Sequence, residues 1–226
     1  MGERGDWGRQ HVLDPAMLAR VANRQFSQAL DVGCGEGRFC RLLKQRGIST
    51  IGIDPTRALL EEARKRDPAG DYRLGNAERL DFESSSFDLV ISYLSLIDIA
   101  EFRAAIREMA RVLRPNGTLL VANLNSFFTS CLAQGWIREA DGRRVHYPVD
   151  RYLDEFSNWV EWADIRVENW HRPLGAYMRA FFDNGLQLAF FDEPEPASSG
   201  GSRIADYRRA PYYLMMEWTR PDTSRK

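Results

Sequence analysis

The stretch Asp-Val-Gly-Cys-Gly-Glu-Gly at residues 31–37 places glycine at every second position, directly after the apolar lead-in Gln-Ala-Leu. Glycine has no Cβ, so such a turn accepts positive φ and lets a ligand come close to the backbone. Two cofactor classes use a glycine-rich turn after a first strand. A dinucleotide site needs G-x-G-x-x-G, with a pyrophosphate at the helix N-terminus. Here the position of its third glycine is Arg38. Asp31 and Glu36 flank the turn; two carboxylates repel a pyrophosphate and suit a ligand carrying an ammonium or another cation. Asp54, closing the next apolar run, can accept hydrogen bonds from a ribose diol. A nucleoside with a cationic, amino-acid-like tail meets all these conditions. No Tyr-x-x-x-Lys is present, which argues further against a nicotinamide oxidoreductase.

A second group of candidates lies in the C-terminal half. Asn-Trp-His-Arg-Pro-Leu at 169–174 puts His171 and Arg172 just before a helical pattern carrying Tyr177. His171 has the chemistry of a general base, and Arg172 offers a fork for an acceptor carboxylate. Tyr177 is a third substrate-binding candidate. Each has a plainer alternative in local hydrogen bonding and packing. His146 and His11 are rival bases. Trp136, Trp159, Trp162 and Trp170 suit an aromatic substrate cage or core packing. No metal is expected, since no His/Asp/Glu cluster has ligand spacing on a shared face. Cys34, Cys40 and Cys131 lack metal-ligand or C-x-x-C spacing and read as reduced thiols.

The elements that must position these residues follow from periodicity. Residues 28–33, 49–54, 71–75, 87–92 and 118–124 read as five strands, separated by helical patterns after Gly37, Pro55 and Phe102. Such alternation indicates a doubly wound α/β domain with a mostly parallel sheet. Ligands in these sheets bind at the carboxyl ends of the strands. That rim would carry Gly33 to Gly37, Asp54, Gly75 to Glu78 and Tyr93. After residue 125 the alternation stops, and residues 125–172 read as an inserted cover over the rim. Residues 1–27, with Trp7 and an amphipathic helix, read as an N-terminal lid over the cofactor or as a packed helix. The remainder reads as a helix at 175–185, a strand at 186–191, a loop rich in Pro, Ser and Gly, and a closing strand at 211–219.

The chain has 226 residues and a net charge of −1, which fits one domain and gives no basic field for nucleic acid or anionic membrane. No apolar run approaches a membrane span, and the polar start has no signal-peptide pattern. The expectation is a cytoplasmic protein without a nucleic-acid or membrane partner; nothing in the sequence speaks to its oligomeric state.

The segments "LDVGCGEG", "IGID", "GNAERLDFESSSFDLVIS" and "ARVLRPNGTLLVAN", in this order and spacing, resemble class I S-adenosylmethionine-dependent methyltransferases over residues 28–124. The resemblance implies a Rossmann-like sheet of seven strands, the last antiparallel, and S-adenosylmethionine as cofactor, with S-adenosylhomocysteine as product. It implies that Gly33, Gly35 and Gly37 border the ribose and methionine part, with Asp31 under the methionine ammonium. Asp54 would bind both ribose hydroxyls and Pro55 would lie beside the adenine. Asn76, Ala77 and Glu78 would line the adenine edge. Tyr93 would border the methionine end and the acceptor pocket, joining His171 as a catalytic candidate, with Trp7 on the substrate side. "HRPL", followed by Glu193-Pro194 and a final aromatic strand, is similar to a group of small-molecule methyltransferases of this class. The expected reaction is methyl transfer to an oxygen or nitrogen of a small molecule. Protein or nucleic-acid methylation, or cofactor binding without transfer, are the alternatives.

Overall fold

The structure, a computed structural model, describes residues 6–131, 135–162, 165–197 and 202–222. Its frame is a seven-stranded sheet built from β1 (Gln28–Val32), β2 (Ser49–Asp54), β3 (Asp71–Leu74), β4 (Phe87–Tyr93), β5 (Leu113–Leu124), β10 (Gln187–Asp192) and β11 (Tyr213–Thr219). The strand order is β10-β11-β5-β4-β1-β2-β3. All neighbours pair in parallel except β11, which runs antiparallel to both β5 and β10. This is the seven-stranded arrangement that the resemblance implied.

The sheet is apolar on both faces because helices cover both. Alternate residues of a strand point to opposite faces. Leu30, Val32 and Val90 therefore enter one core with α4 (Phe102–Val112) and α6 (Leu174–Asp183). Ala29, Leu89 and Ile91 enter the other, with α2 (Arg38–Lys44) and the N-terminal helix. The latter is a wider helical stretch, Arg9–Leu13, continuing into α1 (Asp14–Val21). A smaller cluster, Cys34, Cys40, Leu60, Ala63 and Tyr72, packs α3 (Arg57–Arg66) beneath the glycine turn. Asn116, at φ 61°, supplies a left-handed turn inside the long β5 segment, a conformation that asparagine tolerates.

Residues 125–172 hold α5 (Ser126–Ser130) and two hairpins, β6 (Ile137–Arg138) with β7 (Arg144–His146) and β8 (Phe156–Trp162) with β9 (Ile165–His171). Trp159 lies on a strand and is 60% exposed. Trp136 packs between the guanidiniums of Arg144 and Arg209, and Trp170 stands by that of Arg172. These three tryptophans are thus dispersed rather than gathered into a cage; the side chain of Trp162 lies outside the described residues. The elements inside 125–172 were not legible in the sequence, nor was α7 (Ser202–Arg209), which follows the Pro/Ser/Gly loop. Its polar composition hides the two residues it buries, Ile204 and Tyr207.

Candidate active site

At the carboxyl end of β1 the chain turns through Gly33, Gly35 and Gly37, at φ 79°, 54° and 75°. The three glycines do different work. A Cβ on Gly33 would lie 2.4 Å from the Ser95 Cβ, and one on Gly37 would lie 2.4 Å from the Tyr72 ring, so these two make room for protein. A Cβ on Gly35 would meet nothing within 4 Å. Gly35 therefore faces open space, where a ligand can lie against bare backbone.

Asp54, at the end of β2, accepts the Gly35 N–H at 2.9 Å on one oxygen and the Thr56 N–H at 2.8 Å on the other. Each oxygen keeps lone-pair capacity for a further donor, as a ribose diol requires. Asp31 is buried beneath the turn; one oxygen receives the Cys40 thiol at 3.3 Å, and among the described residues Oδ1 has no donor. Burial pushes the Asp31 carboxyl up to about 7, and the neighbouring charge of Asp54 adds to the rise. A cation above the turn would offset that penalty through the field of the carboxylate. Glu36 behaves otherwise: Arg41 and Arg66 hold it at 2.6 and 2.8 Å. Of the two carboxylates flanking the turn, one is neutralised from outside. At the next strand end, Asn76 and Glu78 bond to each other, through the Glu78 N–H at 3.0 Å and the Asn76 amide at 3.1 Å, beside buried Ala77 and exposed Pro55.

Leu94 follows β4 at φ 56°, a left-handed conformation unusual for a bulky residue. It turns the chain so that Ser95 tucks beneath Gly33, its hydroxyl donating to the Val32 carbonyl at 2.6 Å. Tyr93, just before, donates its hydroxyl to Asp14 at 2.7 Å, and burial raises its pKa. Tyr93, the catalytic candidate expected to border the methionine end, thus keeps its proton and spends its hydroxyl on Asp14.

The acceptor-side candidates are placed differently from the sequence expectation. Arg172 is 1% exposed, and its guanidinium donates to the carbonyls of Leu96, Ile99 and Ala100 at 3.0, 2.6 and 2.8 Å. Both terminal nitrogens are engaged, so the fork expected for an acceptor carboxylate is closed onto the loop after β4. His171 donates from Nε2 to the Tyr152 carbonyl at 3.0 Å, which leaves Nδ1 to accept the Thr129 hydroxyl at 2.8 Å. Burial lowers its pKa. Neither nitrogen is free for a substrate, so the general-base expectation fails on geometry. Tyr177 belongs to the core, edge-on to Phe102 at 5.0 Å and receiving Arg172. Trp7 is half-buried, with its centroid 5.5 Å from that of His11 and the Arg203 guanidinium 5.4 Å away.

Three polar groups that sequence reasoning did not single out lie near the carboxyl ends of β4 and β5. Among the described residues, the Asn123 amide and the Ser126 hydroxyl are buried without hydrogen-bond partners. Asp98 is exposed, yet enough protein surrounds it that desolvation pushes its pKa up to about 7. No motif marks these residues; only the loop geometry does.

A doubly wound sheet of this strand order, with a glycine turn after β1 and a carboxylate at the end of β2, defines a class I S-adenosylmethionine-dependent methyltransferase. The open face of Gly35, the two available oxygens of Asp54 and the orphaned oxygen of Asp31 fit that cofactor. Residues 30–121 match the family described as methyltransferase domain. The matched domain and the fold are those of class I S-adenosylmethionine-dependent methyltransferases. It is 34% identical over 138 residues to a malonyl-acyl-carrier protein O-methyltransferase of Salmonella typhimurium, covering 61% of this chain and 54% of that one. It is 27% identical to a demethylmenaquinone methyltransferase of Renibacterium salmoninarum, covering 83% and 85%. An S-adenosylmethionine-dependent methyltransferase structure from Mesorhizobium loti superposes with a TM-score of 0.83 at 26% identity, covering 97% and 100%. The match spans about half the length of the malonyl-directed relatives. Among the described residues no helix is long and apolar enough to cross a membrane.

Proposed function

We propose that the chain transfers a methyl group from S-adenosylmethionine to an oxygen or nitrogen of a small-molecule acceptor. One observation carries the reading: the rim is hemmed in from two sides. The N-terminal helix is tied to it through Asp14, which holds Arg38 and Tyr93. The cover is tied to it through Asn169, Trp170 and Arg172, which hold the loop after β4. A cleft closed in this way excludes water and suits a small acceptor better than a polymer. The names of the relatives, which refer to a malonyl group on a carrier and to demethylmenaquinone, accord with a small or carrier-bound acceptor.

In this reading the Gly33–Gly37 turn lies against the ribose and methionine part, and Asp54 takes the ribose hydroxyls. Pro55 and Ala77 flank the adenine, with Asn76 and Glu78 at its edge. Asp31 favours the ammonium by charge, and Trp7 walls the acceptor entrance. The bound cofactor supplies an activated methyl group on a sulfonium. The protein's part is alignment, worth about 7–11 kcal/mol where it is good.

Calorimetric titration with S-adenosylmethionine, S-adenosylhomocysteine and NAD tests the cofactor site. Binding of both sulfur nucleosides and not NAD is expected. Release of S-adenosylhomocysteine with a panel of small alcohols, phenols, amines and carboxylates then tests transfer. Turnover with none of them, by protein that binds the cofactor, would leave a binding protein and overturn the transferase reading.

A further inference from the structure

The loop after β4 is held with unusual thoroughness, and its one released side chain is Asp98. Ser95 anchors the loop to the glycine turn, and the Asp98 N–H closes a turn on the Ser95 carbonyl at 2.9 Å. From the other side three residues of the β9 region grip it. The Trp170 N–H donates to the Ile97 carbonyl at 2.7 Å, and Arg172 takes the carbonyls of Leu96, Ile99 and Ala100. Buried Asn169 donates its amide to Asp98 Oδ1. Among the described residues Oδ2 of Asp98 carries no hydrogen bond or ion pair, and the side chain is exposed. A carboxylate held at one oxygen and open at the other thus lies three residues from the serine that packs on Gly33, within electrostatic reach of Asp54.

We propose that Asp98 is the acceptor-side catalytic carboxylate of this methyltransferase, and that the acceptor is therefore a hydroxyl or an amine that must lose a proton. The proposal rests on the reading given above. In the step, the acceptor lone pair forms the bond to the methyl carbon while the carbon–sulfur bond breaks and its electron pair stays on sulfur. The acceptor proton passes to Asp98 Oδ2. A carboxylate acceptor has no proton to give and would meet a like charge. The groups facing Asp98 are Asn169 from β9, Arg9 from the N-terminal helix and Asp54 from β2. Burial, aided by the charge of Asp54, raises its pKa to about 7, against the opposing effects of Asn169 and Arg9. A base poised there is matched to neutral pH.

The test uses the one charge that distinguishes S-adenosylmethionine from S-adenosylhomocysteine. Both ligands carry the same ammonium and ribose, so the contacts of Asp31 and Asp54 with those groups cancel in the ratio of their affinities, and comparison with Asp98→Asn isolates the part that Asp98 adds at the sulfonium. Asp98 does not cancel if it faces the sulfonium. Calorimetry from pH 5.5 to 8.5 should show the preference for S-adenosylmethionine rising about tenfold through pH 7 in the wild type, and a flat ratio in Asp98→Asn. S-adenosylhomocysteine affinity in the variant reports that it is folded. A flat ratio in the wild type, or the same rise in both proteins, overturns the placement of Asp98. Failure of folded wild type to bind either ligand would instead bring down the underlying reading. With binding intact, turnover of carboxylates but of no alcohol, phenol or amine in the acceptor panel would overturn the proton-taking role.

Discussion

Asp14 on the N-terminal helix grips the guanidinium of Arg38, the first residue of α2, and the same carboxylate accepts the Tyr93 hydroxyl from the end of β4. One side chain thus joins the N-terminal helix, the glycine turn and the strand end at the rim. The other end of the helix is pinned as well, since Arg20 and Arg24 hold buried Glu217 of β11 at 2.8 and 2.7 Å. Asp14→Ala leaves a largely buried guanidinium without its carboxylate and should cost about 3 kcal/mol in urea denaturation. Tyr93→Phe should cost less, about 2 kcal/mol. An unchanged midpoint in Asp14→Ala would show that this pair behaves as a surface one.

The three glycines of the turn separate fold from ligand. All have positive φ, so alanine at any of them should cost about 1–2 kcal/mol of backbone strain. At Gly33 and Gly37 the added methyl also collides with Ser95 or Tyr72, and overpacking brings the loss to roughly 3 kcal/mol. At Gly35 the strain stands alone. Gly35→Ala should therefore melt closest to wild type while losing the most cofactor affinity. If all three variants lose stability equally, Gly35 is not facing open space.

Arg172 holds a loop rather than a substrate. Arg172→Met removes three hydrogen bonds to the carbonyls of residues 96, 99 and 100. It should destabilise the protein by at least about 3 kcal/mol. Amide exchange should quicken in residues 94–100. Lysine, with its single ammonium, cannot reproduce the fork and should recover little. A stable Arg172→Met with intact loop protection and impaired turnover would return the side chain to the substrate.

Asp31 gives the free protein a characteristic pH response. In the unfolded chain its carboxyl ionises near 4; in the fold it keeps its proton up to about 7. The folded state binds more protons in between, so stability falls as pH rises across that window, by about 1.4 kcal/mol per unit for a single group. Asp98, raised in the same direction, adds to the slope. Asp31→Asn should flatten the fall between pH 4 and 7, and bound S-adenosylmethionine should counter it in the wild type. Melting temperatures across this range decide the matter; equal slopes in variant and wild type would reject it.

The start of the sheet was legible in the sequence because β1 and β2 are short apolar runs, closed by glycine or aspartate and followed by a helical period. The candidate rim was legible for a related reason. Gly33, Gly35, Gly37 and Asp54 lie at strand ends, and a parallel sheet brings all its strand ends to one edge. Local pattern did not suffice for α7, whose polar sequence resembles the loop before it.

The acceptor side depended on contacts that no spacing encodes. His171 and Arg172 looked like a base and a carboxylate fork because imidazole and guanidinium have that chemistry wherever they stand. Their partners are Thr129 and Tyr152 for one and the carbonyls of residues 96–100 for the other, set by how the cover docks on the loop after β4. The same docking left Asp98 open, in a stretch without any motif. Chemical type and strand-end position are properties of the chain, so the sequence alone determined the class and which residues share the rim. Whether a polar side chain is engaged or available depends on what long-range packing brings against it, and that only the tertiary structure decided.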